Sequence, residues 1–188
     1  MSDRMRSPLS PGAPPQPPDS LVLLNTGNGK GKSTAAWGVV LRALAEEWSV
    51  CVIQFLKSED WSSGEEAILR TLGVTWVKGG DGFTWESSDL GKSELQALSA
   101  WWQAAEALES GRYRLVVLDE VTYPVAFGWI GVDEVVDAIR FRSAGVNVIA
   151  TGRHAPEELV AVADVVTDMV KVSHAFDQGL QARAGIDF

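Results

Sequence analysis

Short apolar runs rich in Val, Ile and Leu alternate along this chain with longer stretches in which apolar residues recur every three or four positions. The runs at 21–24, 50–55, 74–77, 115–118, 146–149 and 165–166 have strand length. Most are apolar on both faces, as strands covered by helices on either side must be. Between them the spacing predicts helices over 32–45, 64–72, 92–110, 132–143 and 156–162. The last places Pro156 in a first turn with Glu157 and Glu158 behind it, favourable chemistry for a helix start. Strands and helices alternating in this way predict a three-layer α/β fold with a mostly parallel central sheet. Ligands of such sheets sit beyond the carboxyl ends of the strands, so the loops that follow strands are the places to search.

Composition narrows the class. A length of 188 residues is about one domain at ~150 residues each. Residues 1–19 hold Pro8, Pro11, Pro14, Pro15, Pro17 and Pro18, a density that favours extended, solvated chain and predicts a disordered tail ahead of one domain over 20–188. That tail is either a passive extension or a segment that orders over a ligand or a second subunit. With 46% hydrophobic and 22% charged residues the remainder has the balance of a globular protein with a packed core. A formal net charge of -9 argues against general attachment to nucleic acid or anionic lipid, so any polyanion must bind at a local site. Cys51 stands alone and there are 2 His, which argues against an intramolecular disulfide and the usual zinc cages and favours a cytoplasmic setting. No apolar run reaches the ~18 residues of a membrane span, and no signal peptide is visible.

The strongest chemical signal is Thr26-Gly27-Asn28-Gly29-Lys30-Gly31-Lys32-Ser33-Thr34, which follows the first strand and opens the first helix. Glycines there let successive N–H groups turn inward, the helix start adds its positive dipole end, and together they cradle phosphate oxygens. Lys32 supplies a mobile positive charge, and Ser33 can place its hydroxyl on a Mg²⁺ ion shared with the phosphates. The G-x-x-x-x-G-K-S/T pattern calls for glycine where this chain has Thr26. Asp119-Glu120 ends the apolar run 115–118 and fits the carboxylate that phosphate-binding loops of this kind use to hold the metal. Spacing leaves open which acid touches the metal, and Glu120 could instead orient a hydrolytic water. Gly79-Gly80-Asp81-Gly82-Phe83-Thr84-Trp85 is a glycine-rich loop carrying two large aromatics two positions apart. Phe83 and Trp85 are either core anchors or an apolar wall for a flat, bulky cosubstrate. Arg42, Gln54, Lys57 and Arg153 are weaker ligand candidates at strand or helix ends, and Arg153 suits bidentate contact with a phosphate. His154 and His174 lie in no Ser/His/Asp or Cys/His pattern.

Taken in order, the blocks 26–38, Val52-Ile53-Gln54-Phe55-Leu56-Lys57, Gly82-Phe83-Thr84-Trp85, Leu118-Asp119-Glu120-Val121-Thr122-Tyr123, Thr151-Gly152-Arg153, His174-Ala175-Phe176-Asp177 and Gly185-Ile186-Asp187-Phe188 resemble the P-loop corrinoid adenosyltransferases over roughly 21–188. The resemblance implies a RecA-like P-loop fold and transfer of the 5′-deoxyadenosyl group of ATP to the Co(I) centre of a corrinoid, with triphosphate leaving. It implies ATP in the loop in the reverse sense, with Asn28, Gly29, Lys30, Gly31, Lys32, Ser33, Thr34, Arg42 and Arg153 on the triphosphate, and Ser33 and Glu120 on Mg²⁺. It assigns Phe83 and Trp85 to the lower face of the corrinoid, where they expel the axial ligand of cobalt and bring its reduction within reach of a cellular flavoprotein. It further implies a homodimer. Ser33, Trp37 and Ser173 depart from the family's usual threonine, phenylalanine and lysine.

Overall fold

The computed structural model describes residues 20–57, 63–80 and 90–187. Its elements are β1 (Val22–Thr26), α1 (Lys32–Ala45), β2 (Val50–Phe55), α2 (Gly64–Thr71), β3 (Thr75–Gly79), α3 (Leu90–Glu109), β4 (Leu115–Asp119), α4 (Thr122–Ala126), α5 (Val132–Arg140), β5 (Asn147–Thr151), α6 (Glu157–Val162) and β6 (Val165–Asp168), followed by a 3₁₀ turn at Ala175–Gln178. Six strands pair in the order β3-β2-β4-β5-β1-β6, and every pairing is parallel. β5 therefore separates the strand that enters the phosphate loop from the strand that ends in Asp119, the arrangement of RecA-like P-loop folds.

The core divides according to the two-residue period of the strands. Cys51, Ile53 and Phe55 of β2 with Val116 and Leu118 of β4 pack against Ala100, Trp101 and Ala104 of α3 and Val135 and Ile139 of α5. Val50 and Val52 with Leu115 and Val117 point the other way, onto Ala36, Trp37 and Val40 of α1 and Leu69 of α2. Three layers follow directly from that alternation. Trp37 and Trp76 meet with ring centroids 5.0 Å apart, fixing the helix behind the phosphate loop to the sheet. Cys51 is buried in the core, and burial pushes its thiol up to about 11, so it is inert packing.

Three local expectations need correction. Pro156 is the N-cap of α6 and not a residue of its first turn, and its extended backbone (ψ 153) leads into Glu157. α4 contains Pro124 and is absent from the helices that the spacing predicts. A proline at the third helical position removes only an N–H that has no partner within the helix. β6 is exposed along its length, so it is an edge strand with one neighbour and not a strand buried on both faces.

Candidate functional site

Backbone strain concentrates at the carboxyl edge of the sheet. Positive φ occurs at Gly27 (92°) after β1, Leu56 (65°) after β2, Glu120 (62°) after β4, and Gly152 (145°) and His154 (52°) after β5. A left-handed conformation disfavours any residue with a Cβ, and a group of such residues at one edge is the pattern of a ligand site.

The loop 27–31 leaves β1 and enters α1 at Gly31, which caps the helix with no side-chain hydrogen bond and with no acid in the first turn. The N–H groups of that turn and its positive dipole end are therefore open to an anion. Lys32 folds back on the loop, donating from Nζ to Gly27 O at 2.9 Å and Gly29 O at 2.7 Å. Burial first, and then the Arg153 charge, lower its pKa, while Glu120 and Asp119 pull the other way. The missing glycine at Thr26 is harmless. Thr26 is still strand, its carbonyl accepting from Met169 N and its hydroxyl oxygen from Ala155 N at 3.3 Å. The turn is made one residue later, at Gly27, where a Cβ would stand 2.1 Å from Asp168 Oδ1 and 2.6 Å from Met169 O. The segment after β6 thus braces the loop from behind, and Gly29 N–H is also bonded to Met169 O.

The two acids at the end of β4 have different surroundings. Asp119 is 1% exposed and accepts from Gln54 Nε2 at 2.9 Å and Thr151 Oγ1 at 2.7 Å. Thr151 Oγ1 in turn accepts from Glu120 N at 2.9 Å. Asp119 is therefore an anchor, and its pairing with two neighbouring strands aims Glu120 into the cleft. Burial, then the neighbouring Asp119, push the Glu120 carboxyl up from 4.5 to about 7, against Lys57, Lys32 and Arg153. A carboxyl raised in the folded state holds its proton more tightly there than when unfolded. Its contribution to stability is complete below the unfolded value and is lost as pH rises through about 7. Glu120→Gln should therefore raise the melting temperature of the ligand-free protein relative to the parent more at about pH 8 than at about pH 5. A difference independent of pH contradicts the buried carboxyl.

Adjoining cavities open over this edge. One of about 300 Å³ is lined by Gly29, Lys30, Gly31, Lys32, Ser33 and Thr34, with Glu120, Tyr123, Arg153 and His174 across from them. A second, of about 170 Å³, runs from Ser33 and Trp37 to Gln54, Lys57, Asp119 and Glu120. A third, of about 580 Å³, has Asn28, Arg153, Lys171, His174 and Phe176 in its wall and shares Arg153 and His174 with the first. The structure thus brings Asn28 through Thr34, Glu120 and Arg153 together, as the sequence predicts. Arg153 is aimed by its neighbours: Thr151 is tied to Asp119, Gly152 lies against Thr122, and Arg153 O accepts from Thr122 Oγ1 at 2.7 Å.

Arg42 is not brought to these cavities. It lies in the last turn of α1, exposed and about 14 Å of helical rise beyond Ser33. Phe83 and Trp85, like the proline-rich residues 1–19 and Phe188, lie outside the described residues. Gly79 and Gly80 are described and buried against Ala100 and Leu56. His174 caps the 3₁₀ turn, Nδ1 accepting from Phe176 N at 3.1 Å. Asp187 is a lining residue beyond the sequence-based set, paired with Lys30 at the mouth of the loop. A separation of 157 positions from its partner left no periodic signal for it.

Comparison with known proteins agrees with this geometry. The family model described as ATP:corrinoid adenosyltransferase BtuR/CobO/CobP matches residues 19–188. The corrinoid adenosyltransferase of Pseudomonas aeruginosa is 41% identical over 170 residues, covering 89% of this chain and 83% of the relative. The corrinoid adenosyltransferase CobA of Salmonella typhimurium is 37% identical over 168 residues, covering 89% and 85%. Among solved structures, the flagellar accessory protein FlaH from Methanocaldococcus jannaschii superposes with a TM-score of 0.49 at 13% identity, covering 79% of this chain and 70% of that one. A phosphate loop, an aimed carboxylate and a family match over nearly the whole chain agree: the chain belongs to the ATP:corrinoid adenosyltransferases, enzymes that transfer the adenosyl group of ATP to a corrinoid.

Proposed function

We propose that this chain alkylates the Co(I) centre of a corrinoid at the 5′ carbon of ATP, releasing the whole triphosphate, in the formation or salvage of adenosylcobalamin. The observation that supports it most is the uncapped start of α1 with Lys32 folded over the loop, a cradle for three linked phosphates. The electron pair of Co(I) forms the cobalt–carbon bond as the C5′–O bond breaks, so negative charge grows on the departing triphosphate. Lys32, Arg153 and the N–H groups of the helix start neutralise it, stabilising the leaving group more than the bound substrate. The ribose then faces outward, toward the cavity of about 580 Å³ that adjoins the phosphate site.

Ser33 and Glu120, lining the same two cavities, fit a Mg²⁺ ion. The described residues hold no group of three His, Cys, Asp or Glu able to cage a metal unaided, and magnesium characteristically takes one or two carboxylates and completes its shell with phosphates and water. Bound there, the ion would add charge neutralisation on the triphosphate oxygens. Glu120 reaches these cavities from the end of β4 and Ser33 from the start of α1.

Phe83 and Trp85 follow β3, whose neighbour β2 ends in the cleft, and we assign them to the lower face of the corrinoid. Trp85→Ala should slow the reaction from cob(II)alamin by about 10-fold more than that from pre-reduced cob(I)alamin, one order of magnitude per ~1.4 kcal/mol. Equal losses in the two assays contradict the wall. A flavoprotein reductase, a cytosolic setting and a homodimer complete the reading. No described helix is long and apolar enough to cross a membrane. The exposed Val165, Val166, Val170, Val172 and Phe176 along β6 and after it support a second copy at that edge.

Inhibition tests the direction in which ATP is bound. Inorganic triphosphate should compete with ATP more strongly than ADP does, because the departing group is the whole polyphosphate. Stronger competition by ADP would point to cleavage between phosphates.

A further inference from the structure

The cavity of about 170 Å³ beside Ser33 contains a group that adenosyl transfer as described leaves unused. Gln54, the last residue but one of β2, lies opposite Asp119 in the sheet register and is 6% exposed. Asp119 already accepts from Thr151, and a carboxylate only accepts, so the amide must present its nitrogen to Asp119, as the 2.9 Å bond from Nε2 shows. The amide orientation is thereby fixed by chemistry, and Oε1 is left as the free end. That oxygen is buried and has no hydrogen-bond partner among the described residues. A buried acceptor left unmet is a standing cost, retained where a ligand supplies the donor.

The donor cannot be the triphosphate, whose oxygens only accept. It cannot be Asp119 or Glu120 as carboxylates, for the same reason. A hydrated divalent cation meets the requirement, because magnesium sheds its water reluctantly and its polarised shell donates strongly. Resting on the Mg²⁺ reading above, we infer that Gln54 is a positioning residue for the cation. Nε2 holds Asp119, and Oε1 accepts from water in the shell of the ion that Ser33 and Glu120 hold. An amide suits the task because it accepts from that water without taking its proton, whereas a carboxylate there would offer a base beside the phosphates.

ATP affinity measured by calorimetry on the whole protein, without corrinoid and with either Mg²⁺ or a chelator, reads this contact apart from catalysis. In Gln54→Met, which matches the side chain in length and lacks both the acceptor and the donor to Asp119, the enhancement of ATP affinity by Mg²⁺ should fall about 10-fold while metal-free affinity stays within about twofold. Gln54→Glu made together with Asp119→Asn restores the bond between the two side chains with its polarity reversed, keeps the net charge and leaves an oxygen in place, and this pair should retain at least the parent's enhancement. Equal losses with and without Mg²⁺ in Gln54→Met, an unchanged ratio in that variant, or a parent with no enhancement overturns the inference. If Gln54→Met does not fold, an enhancement below the parent's in the Gln54→Glu, Asp119→Asn pair overturns it as well. Failure of adenosyl transfer itself would show separately, as a parent protein that leaves cobalt unalkylated.

Discussion

Lys32→Ala should reduce adenosyl transfer by at least about a thousandfold, the scale on which a single preorganised donor at a developing anion acts. In the ligand-free chain the ammonium group is held by two loop carbonyls, Gly27 O and Gly29 O, within the reach of its own flexible stem. Exchange of those carbonyls for triphosphate oxygens brings a full positive charge to the leaving group as its own charge grows. The lowered pKa of Lys32 arises first from burial, and an incoming triphosphate opposes that shift. The ammonium is therefore charged when it is needed. Removing it frees two carbonyls on a loop open to solvent, so the fold should survive. The expected result is a melting temperature near the parent's with turnover almost abolished at saturating ATP. A near-parental rate under those conditions removes Lys32 from the mechanism.

Gly152→Ala should be among the most damaging single methyls in the described chain. Its Cβ would stand 2.0 Å from Thr122 Oγ1, 2.9 Å from Thr122 Cβ and 3.0 Å from Thr122 Cγ2, at a φ of +145° that side chains rarely adopt. Thr122 has nowhere to go, being 1% exposed and bonded to Arg153 O. Overpacking and backbone strain together give a loss of about 3 kcal/mol. The displacement would act at Arg153 on one side and, through Thr151, at Asp119 and Glu120 on the other. Urea unfolding should show the loss, and Thr122→Ala in the same chain should restore part of it by removing Oγ1 and Cγ2 while leaving the Cβ contact and the φ cost. Full stability in Gly152→Ala alone would contradict the contact.

The fold was legible because its strands are short and apolar on two faces and its helices keep one period. The helix 32–45 and the strand 50–55 fall where the pattern puts them. Patterning failed where the energetics are not periodic. Pro124 lies in a helix because it occupies a position whose N–H is unbonded anyway. Val165 and Val166 fall in a strand where the pattern puts them, yet it has one neighbour and an open face that the pattern does not show. The phosphate loop, Asp119-Glu120 and Arg153 were legible because local chemistry marks them beside strand ends. Arg42 lies away from the loop within the chain, and a charge on a helix gives no information about how far the helix carries it. Gln54 was marked as a candidate by its place near a strand end, but its bond to Asp119, like that of Thr151, comes from cross-strand register, which single-sequence periodicity does not encode.

The central claim is that the cradle serves departure of triphosphate from a sugar carbon, and product analysis tests it most directly. The whole chain is incubated in the dark with MgATP and chemically reduced cobalamin while the light-sensitive alkylcobalamin spectrum and the phosphate products are followed together. One equivalent of inorganic triphosphate should appear for each cobalt alkylated. Formation of ADP and phosphate with cobalt left unalkylated would contradict it.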